Sequence, residues 1–113
     1  MAAHYDLNIT KGSSFTIRLV TQDTNGSVID LTNWNVRGYA KIKYSESNLL
    51  VDLNPQKVSP NTNGFIDIQL AAATTATLPV TEGVYDIEIY DSSGYVDKVL
   101  TGYVRVFPEA TYQ

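Results

Sequence analysis

Apolar and polar residues alternate along most of this chain, and the alternation is clearest between residues 82 and 90. Tyr85, Ile87 and Ile89 occupy every second position there, and acidic residues lie between them. A period of two is typical of a β-strand that buries one face and exposes the other to solvent. This segment therefore predicts a half-buried strand.

The residues after this strand predict a hairpin and a further strand. Residues 91–94 read Asp-Ser-Ser-Gly, a composition that tolerates turn geometry. A return strand is predicted over residues 95–100. Gly102 is expected to separate it from a last strand at residues 103–107.

The same period recurs elsewhere in the chain. It predicts strands at residues 5–10, 15–20, 36–44, 49–53 and 65–70. These strands are short and evenly spaced, which is typical of a sandwich of two sheets.

Turn and loop signals separate the strands. Asn25-Gly26 predicts a hairpin turn, and residues 30–33 predict an Asx or Ser/Thr turn before Trp34. Residues 71–79 predict a single helical turn that crosses between the sheets. Residues 54–64 are predicted to form a long loop without internal structure, a place where contacts are often made.

The strand predicted at residues 36–44 has two different faces. The set predicted to face the core is Val36, Gly38, Ala40 and Ile42. Gly38 and Ala40 would make room there for a large neighbour such as Trp34. The outward set is Arg37, Tyr39, Lys41 and Lys43. A basic strip of this kind could bind phosphate or an acidic partner, but we favour a solvated face whose lysines prevent edge pairing.

Together these patterns predict an all-β fold, an immunoglobulin-like antiparallel β-sandwich of about seven to nine short strands with one short helical turn. A chain of 113 residues forms a single domain over residues 1–113. The predicted core consists of Phe15, Ile17, Leu19, Leu31, Trp34, Ile42, Ile66, Ile68, Leu70, Leu78, Tyr85, Ile87, Ile89, Val99, Val104 and Val106.

Composition and charge narrow the classes of function. The chain has no cysteine, which excludes disulfides, thiolate metal sites and thiol nucleophiles. Its net charge of −4 opposes binding to a phosphate backbone, so we expect no nucleic-acid partner. No apolar run approaches the roughly 20 residues that cross a bilayer, and no leader pattern precedes Tyr5. We expect synthesis in a cytoplasm and no membrane partner.

Candidate catalytic and metal-binding groups are sparse. The one histidine, His4, lies in a terminal segment that we expect to be mobile. Asp86 and Glu88 share a strand face about 7 Å apart, but we interpret them as solvated surface acids with unperturbed surroundings. Oxygen-rich turns at residues 22–26 and 91–94 lack the spaced carboxylates of a calcium loop. We expect no enzymatic activity, catalytic residue, metal or cofactor.

Tyrosine is abundant, with eight among 113 residues. Its side chain offers a large contact area and one polar group at a small entropic cost, which suits a protein-binding surface. Packing on pleated sheets explains the abundance equally well. The interface candidates are Tyr39, Tyr44, Tyr90, Tyr95, Tyr103 and Tyr112, together with Lys41 and Lys43.

Several short motifs carry a resemblance over residues 5–111. They are Gly12 with Phe15, Asn25-Gly26 followed by Asp30-Leu31-Thr32, Gly64 before a strand, Thr75 with Leu78, Gly83 with Tyr85-Asp86, and Gly102 before Pro108-Glu109-Ala110-Thr111. In these the chain is similar to a family of small β-sandwich virion proteins of tailed bacteriophages, including cyanophage examples and N-terminal domains of phage baseplate proteins. Ala110 and the loop at residues 54–64 depart from the family pattern.

The resemblance implies a structural, non-enzymatic role in the virion, in the tail or baseplate, with other virion proteins as partners in multiple copies. It implies contacts through the tyrosine-bearing edges, segments 1–6 and 108–113, and the loop at residues 54–64. A capsid decoration or cement protein is an alternative within this class. A carbohydrate-binding or host-receptor module is an alternative from another class, in which exposed Trp34 or Tyr side chains would stack on sugars.

Overall fold

A computed structural model describes residues 3–45 and 47–108, and in this part of the chain nine strands form two sheets. The strands are β1 (Ala3–His4), β2 (Leu7–Thr10), β3 (Phe15–Val20), β4 (Asn35–Lys41), β5 (Val51–Asp52), β6 (Gln56–Lys57), β7 (Phe65–Leu70), β8 (Glu82–Tyr90) and β9 (Val96–Phe107). A 3₁₀ turn covers Asn61–Asn63 and a short helix, α1, covers Ala72–Thr75. The predicted all-β sandwich with its short helical turn is confirmed.

The larger sheet has the order β1-β9-β8-β4-β5, with β2 also paired to β9, and the smaller sheet has the order β3-β7-β6. β8 lies in the middle of the larger sheet, antiparallel to both β4 and β9. Tyr85, Ile87 and Ile89 are each only 1% exposed. The alternation read from the sequence therefore gives the correct buried face for this strand.

The N-terminal strands join the larger sheet in parallel with β9, in contrast to the antiparallel pairing elsewhere. Ala3 pairs with Leu100 and Leu7 with Val104, so β1 and β2 keep one register across the two residues between them. The single strand predicted at residues 5–10 therefore begins at Leu7. Leu7 and Ile9 are buried, although the predicted core did not include them.

Gly102 does not separate two strands, as expected from the sequence, because β9 runs without interruption from Val96 to Phe107. A Cβ atom at this position would lie 2.1 Å from the carbonyl oxygen of Tyr5. The glycine is therefore required by the close approach of the N-terminal strand and not by a turn.

The predicted end of the strand at residues 36–44 and the predicted start of the strand at residues 49–53 are wrong. β4 ends at Lys41, and Ile42, predicted to lie in the core, is 43% exposed. Leu49 is also exposed because β5 pairs with β4 only through Val51 and Asp52. The alternation in the sequence extends beyond the residues that form these two strands.

The space beside Gly38 is filled by Ile87 and Pro55, not by Trp34 as predicted. Trp34 is partly buried and packs against the edge of the Tyr95 ring, with ring centroids 5.9 Å apart. Gly38 thus lets β8 and the segment after β5 approach β4.

The segment at residues 54–64 is not a structureless loop. It contains β6 and the 3₁₀ turn, and β6 pairs with β7 as the third strand of the smaller sheet. The Lys57 ammonium donates to the carbonyl oxygen of Trp34 at 2.7 Å and so ties β6 to the start of β4. A two-residue strand carries too little alternation to be recognised in a sequence.

The core lies between the two sheets. Its predicted members that are buried are Leu31, Ile66, Ile68, Leu70, Leu78, Tyr85, Ile87, Ile89, Val99, Val104 and Val106. Those that are only partly buried are Phe15, Ile17, Leu19 and Trp34. Ala40, predicted to face the core, is buried as well. Buried apolar residues absent from the predicted core are Leu7, Ile9, Val51, Leu53 and Leu100.

Two turns are built in the same way. In each, one aspartate oxygen accepts backbone N–H groups two and four residues later, Asn25 and Ser27 for Asp23, and Ser93 and Tyr95 for Asp91. The glycines in these turns have positive φ angles of 81° and 92°. The predicted turns at residues 22–26 and 91–94 are confirmed, and the aspartates organise the backbone.

Candidate interaction surface

The outer face of the larger sheet, defined by the outward side chains of β4, β8 and β9, collects residues that are far apart in the sequence. The register places Lys41 beside Val84 and Tyr103 in one row. A second row contains Tyr39, Asp86 and Thr101. These side chains alternate with the buried residues of the same strands, so they point away from the core.

Most of the interface candidates lie on this outer face. Tyr39, Lys41, Tyr90 and Tyr103 are outward residues of its three strands. Tyr44 follows β4, and its hydroxyl lies 3.0 Å from Oγ1 of Thr101 on β9, across the neighbouring strand β8. The candidates therefore form one surface although they come from three separate segments.

The remaining candidates lie elsewhere. Lys43 is exposed in the bend after β4. Tyr95 is in the turn between β8 and β9, where it contacts Trp34. Tyr112 lies outside the described residues. His4, expected in a mobile terminus, is in β1, with its Nε2 2.9 Å from Oδ1 of Asp6 and its ring edge-on to Tyr103.

An ion-pair network occupies the middle of the outer face. The Lys98 ammonium lies 3.1 Å from Oδ2 of Asp86 and 2.9 Å from Oε2 of Glu88. The Arg37 guanidinium reaches the other oxygen of Glu88 at 2.7 Å and lies over the Tyr90 ring at 4.6 Å from its centroid. These charges are fixed relative to each other by the strand register.

This network corrects the interpretation of Asp86 and Glu88 as solvated acids with unperturbed surroundings. Partial burial raises the pKa of Glu88, but hydrogen bonds from Arg37 and Lys98 outweigh that effect and hold the pKa below its usual range. The hydrogen bonds that Lys98 donates to Glu88 and Asp86 raise the pKa of Lys98. Glu88 remains ionised, and both carboxylates serve as partners in structural ion pairs.

Two shallow depressions lie on either side of Tyr39. One, of about 290 Å³, is lined by Tyr39, Lys41, Tyr44, Asp86 and Lys98. The other, of about 360 Å³, is lined by Arg37, Tyr39, Asp52, Gln56 and Tyr90. Aromatic walls with paired charges between them are suited to contact with another protein surface. Sequence reasoning missed Thr101 and Lys98 as parts of this surface because only the cross-strand register places them there.

Metal binding has no support in the described parts of the chain, where no three His, Asp or Glu side chains cluster. The turn oxygens considered as ligands already accept backbone hydrogen bonds from Asn25, Ser27, Ser93 and Tyr95. No helix in residues 3–45 and 47–108 is long and apolar enough to cross a membrane.

The comparisons with known proteins bear on the fold alone. No protein-family model matches the sequence, and no curated protein matches it. Among solved structures, the chain is similar to the crystal structure of a chicken TCR, with a TM-score of 0.55 and 15% sequence identity. The match covers 96% of this chain and 55% of the TCR chain, so this chain spans about half the length of that one. The domain is an immunoglobulin-like β-sandwich.

Proposed function

We propose that this domain is a non-enzymatic structural component of a tailed-phage virion, located in the tail or baseplate, and that it acts through contacts with other virion proteins. The resemblance of residues 5–111 to small virion sandwiches supports the class. Action through protein contacts is supported by one observation: the outer face of the larger sheet brings together Tyr39, Tyr44, Tyr90, Tyr103 and Lys41.

This face has the physical properties of a contact surface. Tyr39, Tyr44 and Tyr103 are 40%, 60% and 52% exposed, so burial of their rings against a partner would remove apolar area from water. The charges of the ion-pair network in the middle of this face are already paired, which lowers the cost of covering them compared with isolated ions. Tyrosine side chains also lose little conformational freedom on binding.

The same network argues against acid–base catalysis on this face. A general acid at neutral pH needs a raised pKa, whereas Glu88 has a lowered one. Its two oxygens are held by Arg37 and Lys98 and are not presented to a substrate.

Assembly of the phage particle provides the test. Tyr39→Ala and Tyr44→Ala are expected to reduce incorporation of the protein into particles by at least about tenfold when combined, if each ring contributes about 1 kcal/mol or more. Val80→Ala is the matched control, because Val80 is 56% exposed but lies outside this face. Unfolding curves of the purified variants establish that the fold is kept.

Incorporation of the double variant at the wild-type level would contradict the role of this face. The number of copies per particle separates a tail or baseplate position from a capsid decoration, because a baseplate holds far fewer copies than a capsid surface. Recovery of the domain only outside the particle would overturn the virion assignment itself.

A further inference from the structure

The smaller sheet ends in an uncovered strand. In the described residues β3 pairs with β7 on one side and with no strand on the other. The Thr21 N–H donates to the carbonyl oxygen of Gly64 at 2.9 Å, which continues the β3–β7 register by one residue. Because hydrogen-bonded positions alternate in an antiparallel pair, Thr16, Arg18 and Val20 direct their backbone N–H and C=O groups away from β7.

The usual protection of such an edge is missing from β3. Its register with β7 is continuous over six residues, without a bulge, and it contains no proline. Its one charged residue, Arg18, is bound by both oxygens of Asp67 at 2.7 and 3.0 Å. The edges of the larger sheet differ, because β5 has two residues and β1 and β2 are interrupted at Tyr5 and Asp6.

The core is also incompletely covered at this edge. The inward residues of the neighbouring strand β7, Ile66, Ile68 and Leu70, are buried. The inward residues of β3, Phe15, Ile17 and Leu19, are only partly buried. An added strand would bury more of these side chains, at about 25 cal/mol for each Å² of apolar surface removed from water.

We propose that the free edge of β3 binds an extended segment of another protein as an additional strand. The segment pairs with the backbone of Thr16, Arg18 and Val20 and places alternate apolar side chains beside Phe15, Ile17 and Leu19. This binding mode obtains affinity from main-chain hydrogen bonds and specificity from alternate side chains. The proposal concerns the smaller sheet and does not depend on the virion assignment.

The chemistry of the edge favours a different protein over a second copy of this chain. A twofold, antiparallel pairing of β3 with β3 that uses all three outward residues is centred on Arg18 and would place two arginines directly opposite each other. Like charges at facing positions destabilise a strand pair. A segment with a neutral or acidic residue opposite Arg18 avoids this repulsion.

Amide hydrogen exchange followed by NMR tests the geometry in the full chain. In the free protein, the amides of Thr16, Arg18 and Val20 are expected to exchange at least about tenfold faster than those of Ile17 and Leu19. The probe is a short capped peptide in which valine alternates with threonine. Its binding is expected to be saturable and to slow exchange at Thr16, Arg18 and Val20 selectively.

Proline substitution supplies the matched variants. Arg18→Pro removes an outward N–H that β7 does not use, and an edge strand tolerates proline at such a position. It is expected to abolish peptide binding, whereas Arg18→Ala, which equally loses the ion pair with Asp67, keeps it. If Arg18→Pro fails to fold, Thr16→Pro with Thr16→Val makes the same comparison.

Three results would overturn the proposal. The outward amides could already be protected in the dilute, monomeric protein, or the peptide could leave them unprotected. Protection that appears only as the protein concentration rises, together with a dimer by light scattering, would assign the edge to a second copy.

Discussion

The hydroxyl of Tyr85 donates a hydrogen bond to the backbone carbonyl of Tyr5, which lies 80 residues earlier in the chain. This carbonyl occupies the gap between β1 and β2, where a regular parallel ladder would direct it to the N–H of Tyr103. That N–H instead donates to Oδ1 of Asp6 at 3.1 Å. The side chains of Tyr85 and Asp6 thus replace the backbone hydrogen bond between Tyr103 and Tyr5, and they hold the N-terminal strands against β9.

Removal of the Tyr85 hydroxyl should destabilise the fold. Tyr85→Phe keeps the buried ring but leaves the carbonyl of Tyr5 without its donor, at a cost of about 1–3 kcal/mol in the free energy of unfolding. Urea denaturation provides the measurement. Tyr39→Phe is the control, since that hydroxyl makes no hydrogen bond within the described chain, and it should change stability by less than about 0.5 kcal/mol. Equal stability of the two variants would contradict the role of the bond.

Gly102→Ala should displace the N-terminal strand. The new methyl group would meet the carbonyl of Tyr5, which must move away from β9 and from the Tyr85 hydroxyl. Hydrogen exchange is expected to accelerate at the amides of β2 while β7 keeps its protection, because β7 lies in the other sheet. Uniform acceleration in both sheets would point to global destabilisation instead.

Acid should weaken the ion-pair network. The folded-state pKa of Glu88 is below its unfolded value. Its stabilising contribution is therefore complete above the unfolded-state pKa and is lost as the pH falls through the folded-state pKa, so stability should decline below about pH 5. A carbon-13 NMR titration of the Glu88 carboxyl should have a midpoint that rises in Lys98→Met. A midpoint unchanged by this substitution would show that Lys98 does not hold the carboxylate.

Asp91, in the turn between β8 and β9, should stabilise the fold through the hydrogen bonds that its side-chain oxygen accepts and not through its charge. Oδ1 of Asp91 accepts from the N–H groups of Ser93 and Tyr95, so Asp91→Ala should cost about 1–2 kcal/mol of stability. Asp91→Asn keeps an acceptor and should lose less. Asp97→Ala is the control, because the Asp97 side chain makes no hydrogen bond within residues 3–45 and 47–108. Thermal unfolding of the three variants makes the comparison.

The sequence allowed prediction of the features that depend on local periodicity and turn chemistry. β8 was predicted from Tyr85, Ile87 and Ile89, and the turns were predicted from Asn25-Gly26 and residues 91–94. These features could be predicted because each is specified within a few neighbouring residues. Alternation in the sequence identifies the buried face of a strand correctly where the other sheet covers that face.

Features set by distant segments could not be predicted. Ile42 continues the alternation of β4, but the strand ends at Lys41 and Ile42 is exposed. Gly102 resembles a strand break, yet its role depends on Tyr5 from the other end of the chain. Residue type alone identifies the interface candidates in the sequence, and the assembly of most of them on one face follows from the register of β4, β8 and β9.

The parallel pairing of β2 with β9 also constrains the order in which the chain can become structured. A ribosome releases Leu7 and Ile9 about 100 residues before their partners Val104 and Val106, and loops of that length close late. The nascent chain must keep these apolar residues away from other surfaces until its last strand emerges. Completion of the larger sheet therefore waits until β9 has left the ribosome, and chaperone capture before that moment would act on the segment that contains β2.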